Sequence, residues 1–157
     1  MKAFRNWIAP ALLLLLLSVA FHWRLVLTRQ YTWLDSPDIA NMEVPRFQFQ
    51  AREWRAGRFP LWDPTQWCGQ PFLGQMTGAA YPPHRLFSLW AGRHPRISQS
   101  DLHWYLVLVR FFAMLNGWLL CRYLRRSQAA AIAGGVVFGL GSFLGNTEWP
   151  TVINGIL

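Results

Sequence analysis

The sequence predicts an all-α polytopic membrane protein with about three transmembrane helices and one large extracytoplasmic loop containing short interfacial helices. Three observations carry the prediction. Hydrophobic residues make up 53% of the chain and charged ones 14%, against about 25% charged in an average soluble domain. Ten Trp and eleven Phe add an unusual aromatic weight. Two apolar segments, Trp7–Leu27 and Trp104–Leu124, each hold about the 20 residues that a helix needs to cross roughly 30 Å of hydrocarbon.

Residues 1–27 read as a cytoplasmic N-terminus and a first span, apolar except for Ser18, His22 and Arg24 and including the unbroken run Leu12–Leu17. A cleaved signal peptide is the competing reading. Lys2 and Arg5 form its basic n-region, and Ser18-Val19-Ala20 resembles a small-residue cleavage site. The apolar character nevertheless continues through Phe21, Trp23, Leu25, Val26 and Leu27, which fits an uncleaved anchor with an aromatic at the interface. Both readings leave residues 28–103 outside.

That loop is dense in Trp, Phe, Pro, Arg and Asp. Its first polar stretch, Tyr31–Asp38, places Asp35 and Asp38 three residues apart just beyond the first span, which makes them the catalytic candidates. A structural reading competes: Ser36 as N-cap, Pro37 as first helical residue and Asp38 as a first-turn acid complementing the helix dipole. Pro45–Ala56 predicts a short helix opened by proline and stopped by Gly57, with Phe47, Ala51 and Trp54 along one apolar stripe. Arg46, Arg52 and Arg55 fall off the stripe. Such a helix suits an interface with lipid phosphates or a phosphorylated ligand, and a solvated surface helix has the same pattern. The segments Arg58–Pro64, Trp67–Pro71 and Tyr81–Pro83 read as turns or extended chain with aromatic anchors.

The second span occupies 104–124 and is interrupted by Arg110, Asn116 and Arg122. An ionisable group at that depth either faces a polar cavity or partner charge or snorkels to the interface. A turn at 125–128 carries Arg125 and Arg126. Being the shortest connection, it sets the orientation by the positive-inside rule: cytoplasmic turn, cytoplasmic N-terminus, loop outside. The third span, 129–144, contains Gly134, Gly135, Gly139 and Gly141, which predicts close packing against other helices. Residues 145–157 then begin a second outward segment carrying Glu148.

The net charge of +8 comes from fourteen Arg and one Lys, set against seven acids. It is scattered among spans and aromatics and forms no soluble basic face, so nucleic acid is not an expected partner. The four His lack ligand spacing. Cys68 and Cys121 form no disulfide framework.

Taken together, Asp38-x6-Pro45, the GRFPLWDP of Gly57–Pro64, the CGQPF of Cys68–Phe72, the YPP of Tyr81–Pro83, the Gly-rich third span and Glu148-Trp149-Pro150 resemble, over about residues 5–157, the N-terminal part of YfhO-like bacterial membrane proteins. These are similar to GT-C glycosyltransferases. The resemblance implies an N-terminal portion of a larger helical bundle in the bacterial cytoplasmic membrane. It further implies a polyprenyl-phosphate-linked sugar as donor and a cell-envelope glycan as acceptor, with the missing helices as partners.

It also implies a catalytic carboxylate in the first outward loop. Asp38 is the matching position and Asp35 the weaker one. An inverting transfer needs such a group to accept the acceptor hydroxyl's proton. On that reading Arg46, Arg52, Arg55 and Arg58 are candidates to hold phosphate, and Glu148 shares the outward compartment. The resemblance leaves the metal requirement open, a divalent ion being permitted but not required. A non-catalytic membrane subunit, a transporter fragment and an envelope-polysaccharide binding module are the alternative functions.

Overall fold

A computed structural model of the chain describes residues 2–28, 30–32, 37, 39–74, 86–87, 89–90 and 97–141. The chain divides into two compact units. One is helical and built from residues up to Tyr31 and from Trp104 onward; the other is built from residues between Thr32 and His103.

In the helical unit, α1 (Lys2–Phe21) includes Pro10 and the Leu12–Leu17 run. A short α2 (Trp23–Val26) follows. The first apolar segment is therefore not one unbroken helix. The break falls at His22, whose Nδ1 lies 2.9 Å from the Ser18 carbonyl while its backbone N–H donates to the same oxygen at 3.2 Å. A side chain that competes for a helical carbonyl bends a helix in this way.

α4 (Gln99–Tyr123) is one helix of 25 residues. It starts within the stretch assigned to the outward loop, five residues before Trp104. The reason is local: the Ser98 hydroxyl accepts from the Asp101 N–H at 3.1 Å, while the Asp101 carboxylate accepts the Ser98 N–H at 2.9 Å. This reciprocal capping satisfies two of the donors that a helix start leaves open.

The turn into α5 (Gln128–Leu140) uses Arg125 in the left-handed region, φ 57°. The Arg126 N–H reaches the Cys121 carbonyl at 3.0 Å and the Arg122 guanidinium donates to the Arg126 carbonyl at 2.6 Å. Ser127 caps α5 by accepting from Ala130 N–H at 3.3 Å. α5 ends at Leu140, short of the 129–144 expectation, with Gly141 extended.

Leu14 of α1, Met114 and Trp118 of α4 and Ala131 of α5 form the buried core of this unit. Trp7 meets Trp118 edge to face at 5.3 Å. α4 and α5 cross on glycine: a methyl group built on Gly117 would lie 3.2 Å from the Gly135 Cα, and one on Gly135 would lie 2.6 Å from the Met114 carbonyl oxygen. Further along the α1–α4 contact the packing turns polar. The fully buried Ser18 hydroxyl donates to the Val107 carbonyl at 2.8 Å, and His22 and Arg110, also buried, lie within electrostatic reach of one another.

Among the described residues one helix, α4, is long and apolar enough to cross a membrane; the apolar stretch of α1, Trp7–Phe21, and α5 are shorter.

The second unit opens with a π-helical turn, Ile39–Glu43, which runs directly into α3 (Val44–Arg55). The helix starts ahead of Pro45, and Phe47 and Ala51 are buried along the expected stripe with Trp54 partly covered. Aromatic pairs hold this unit. Phe47 meets Phe87 at 5.2 Å, Phe49 meets Phe72 at 5.0 Å and Trp54 meets Phe59 at 4.9 Å.

The expectation of a purely helical fold needs one correction: Trp62–Asp63 (β1) and Gln70–Pro71 (β2) pair antiparallel, Trp62 opposite Pro71 and Asp63 opposite Gln70. The buried Asp63 carboxylate fixes the turn by accepting from the Thr65 N–H at 2.8 Å and the Thr65 hydroxyl at 2.5 Å. Trp67, Cys68 and Gly69 then run in succession at positive φ, 52°, 61° and 102°, and the Phe72 N–H closes on the Leu61 carbonyl at 2.8 Å.

Candidate functional site

The carboxylates Asp35, Asp38 and Glu148, singled out from sequence, lie outside the described residues. What the structure supplies is the ground that follows Asp38 in the chain. One residue beyond it begins the π-turn, a conformation that recurs at functional sites, and the turn delivers α3 with its arginines.

These arginines divide into two groups. Arg46, mostly covered, donates through Nη1 to the Glu43 carboxylate at 3.1 Å. Glu43 is buried, and desolvation raises its carboxyl above the ordinary carboxylate range, although the Arg46 charge and hydrogen bond pull the other way. Burial disfavours the ionised form of an acid, and a neighbouring cation favours it; here burial has the larger effect.

The other group gathers around Glu53. Arg58 grips this carboxylate with two bonds, Nε at 2.8 Å and Nη2 at 2.9 Å, and Arg52 approaches it at 3.8 Å. The Arg58 hydrogen bonds hold the Glu53 carboxyl below its usual range and raise the Arg58 guanidinium. The Arg52 guanidinium also lies 5.4 Å above the Phe49 ring. Arg55 is exposed on the same end of α3. Three cations thus share a short stretch with one carboxylate. That is a surface able to take a further anion, since Arg presents a fork of donors matched to phosphate.

Sequence reasoning missed three polar groups. Glu43 went unnoticed because Pro45 was read as the helix start; continuing the helical period backwards puts Glu43 in line with Arg46 and Gln50. Gln50 is fully buried, and both polar atoms of its amide are without a hydrogen-bond partner among the described residues. Asp63 was read only as part of a turn, yet it is fully buried and its Oδ2 has no partner among the described residues. A buried polar atom without a partner costs on the order of 1–3 kcal/mol, so such atoms mark places where a fold holds more than packing requires.

Among the described residues no group of three or more His, Cys, Asp or Glu gathers as a metal ligand set. Both cysteines are free thiols, Cys68 exposed and Cys121 half-buried.

No family model, curated protein or solved structure matches this chain.

Proposed function

We propose that this chain is part of a bacterial membrane glycosyltransferase that moves a sugar from a polyprenyl-phosphate donor to a cell-envelope acceptor, with Asp38 as general base. The N-terminus lies in the cytoplasm and residues 28–103 lie outside.

The observation that carries the membrane part is that the helical unit is apolar on both sides. Leu14, Met114 and Trp118 fill its core, while Leu12, Leu16, Phe112, Leu120 and Val137 stand exposed on the outer faces. A helix apolar all round belongs in a large core or in lipid. α1 and α2 together carry the apolar segment from Trp7 to Val26, about the length a span needs. At its end the Arg24 guanidinium sits 5.3 Å from the Trp23 ring and 5.7 Å from the Tyr31 ring, the residue types of a membrane–water boundary.

The catalytic part rests on chain order and resemblance. Asp38 is followed at once by the turn and helix that bear Arg46, Arg52 and Arg55, with Arg58 just beyond. A carboxylate that takes the acceptor proton needs cations nearby to stabilise the charge developing on the departing lipid phosphate. Arg52, Arg55 and Arg58 have the exposure for that task. Arg46 is committed to Glu43 and serves better as a positioning residue.

The test is transfer of labelled sugar from a panel of polyprenyl-phosphate donors in membranes carrying the full-length parent protein that contains this chain, or its Asp38→Asn variant, at matched expression. Transfer that disappears only in the variant is the expected result. Equal transfer removes Asp38 from the site, and no transfer by either protein on any donor overturns the enzyme reading.

A further inference from the structure

The hairpin between Leu61 and Phe72 presents an aromatic surface that the proposed chemistry does not use. Trp67 at its tip is 81% exposed, and Trp62 and Leu61 are more than half exposed. Phe59 and Leu73, on the flanks, are exposed as well. The Trp62 indole lies against Gly69, where an added Cβ would come within 3.0 Å of the ring, so Trp62 and the Trp67 tip belong to one structure.

This exposure is held, not incidental. Trp67 and Cys68 take left-handed backbone, which for a bulky side chain is an outlier. The Asp63–Thr65 bonds and the Phe72–Leu61 bond brace the loop in that shape. Backbone strain kept in place by surrounding bonds is a pointer to use.

The hairpin joins α3 through the Phe72–Phe49 pair, and the Arg52 guanidinium lies over that Phe49 ring; Arg52 and Arg58 are exposed and, among the described residues, both face the Glu53 carboxylate. Exposed Trp with aliphatic neighbours, joined to a helix that carries exposed guanidinium groups, matches a lipid surface, in which indoles settle at headgroup depth and arginines meet phosphate. The hairpin's own amides, Gln66 and Gln70, are half-buried and bonded to one another at 3.3 Å, whereas the exposed apolar neighbours of Trp62 and Trp67 are Leu61, Leu73 and Phe59.

We propose that the Leu61–Phe72 hairpin is a peripheral anchor that inserts Trp67 and Trp62 into the headgroup region of an anionic bilayer. The proposal takes from the functional reading only that the chain resides at a membrane.

Cys68 at the tip supplies the probe. The full-length chain with Cys121→Ser is labelled at Cys68 with an environment-sensitive fluorophore and reconstituted into vesicles of phosphatidylcholine alone or mixed with phosphatidylglycerol. Nitroxide lipids quench at shallow or deep positions, and iodide quenches from water. A second chain, with both cysteines replaced by Ser and Phe112→Cys labelled, reports whether α4 is inserted.

The expected result is shallow-nitroxide quenching at Cys68, stronger in the anionic vesicles and lost in the Trp62→Ser/Trp67→Asn double variant, in which Asn retains a residue that accepts left-handed backbone. A Cys68 label open to iodide and untouched by nitroxide, with the Phe112→Cys label quenched by the deep nitroxide, overturns the anchor and leaves the membrane reading standing. No quenching at either site overturns both. Equal quenching in neutral and anionic vesicles, or protection of Cys68 only by added glycan, also overturns the proposal.

Discussion

Replacing Gly135 by Ala is the sharpest test of how the helical unit is packed. The new methyl group would stand 2.6 Å from the Met114 carbonyl oxygen and 3.2 Å from the Trp118 Cβ and backbone nitrogen, whereas ordinary contact begins at 3.4 Å. Two of those three atoms are backbone, so neither can rotate away. α5 has to withdraw from α4 by about 1 Å, and a gap of that size forfeits a quarter to a half of each contact's attraction. Overpacking costs of this kind run at about 1–3 kcal/mol, set against up to about 1 kcal/mol gained because Ala is the better helix former. The net expectation is a loss of about 1–2 kcal/mol, or a factor of roughly 5–30 in the folded population.

Gly134→Ala is the matched control. Its methyl would meet the Cys121 Sγ at 2.6 Å and otherwise nothing closer than 3.9 Å, and a lone thiol can turn to another rotamer. The control should be neutral or stabilised by up to about 1 kcal/mol. The assay is denaturant unfolding of the purified chain in one detergent, followed by helical circular dichroism. Gly135→Ala as stable as Gly134→Ala would refute the close crossing of α4 and α5.

Two more outcomes follow from the second unit. Because Arg58 depresses the Glu53 carboxyl, this group contributes stability that is complete above its ordinary value near 4.5 and fades as pH falls through the lower folded value. Glu53→Gln should therefore lower the melting temperature slightly at pH 7 and converge with the parent in strong acid; a difference unchanged by acid would deny the ion pair its role. Gln50→Met should raise stability by about 1–3 kcal/mol, since it keeps the volume and removes a buried amide that has no partner among the described residues. A fall in the denaturation midpoint would mean that the amide is bonded after all.

The helices were legible in the sequence wherever a long apolar run or a 3.6-residue stripe fixed them, as with Leu12–Leu17 and the Phe47–Ala51 face. The true start of α4 was obscured because Gln99–His103 has loop-like composition, although Ser98 and Asp101 carry a capping signature three residues apart. The break at His22 was not legible: it depends on one side chain reaching a carbonyl four residues back. The hairpin was hidden more deeply, since neither Trp67 nor Cys68 signals positive φ in the way Gly69 does, and the path is held by bonds that the sequence does not display, the Gly69 N–H donating to the Gln66 carbonyl at 2.8 Å and the Asp63–Thr65 bonds beside it. Of the site, the arginines were visible as a cluster, but sequence could not show that Glu43 takes Arg46 while Glu53 takes Arg58.

The polar layer at Ser18 has a consequence for how α1 finds its place. Leucine, valine and methionine surfaces tolerate one another at several offsets, so an apolar seam by itself fixes the sliding position of two helices poorly. A slip of one turn, about 5.4 Å, would carry the Ser18 hydroxyl away from the Val107 carbonyl and leave it buried against hydrocarbon. A buried polar group of this kind selects register more than it adds stability, and the bond spanning 89 positions in the chain acts as a vernier mark. It aligns α1 with α4 at a single register, which the apolar seam alone would leave open.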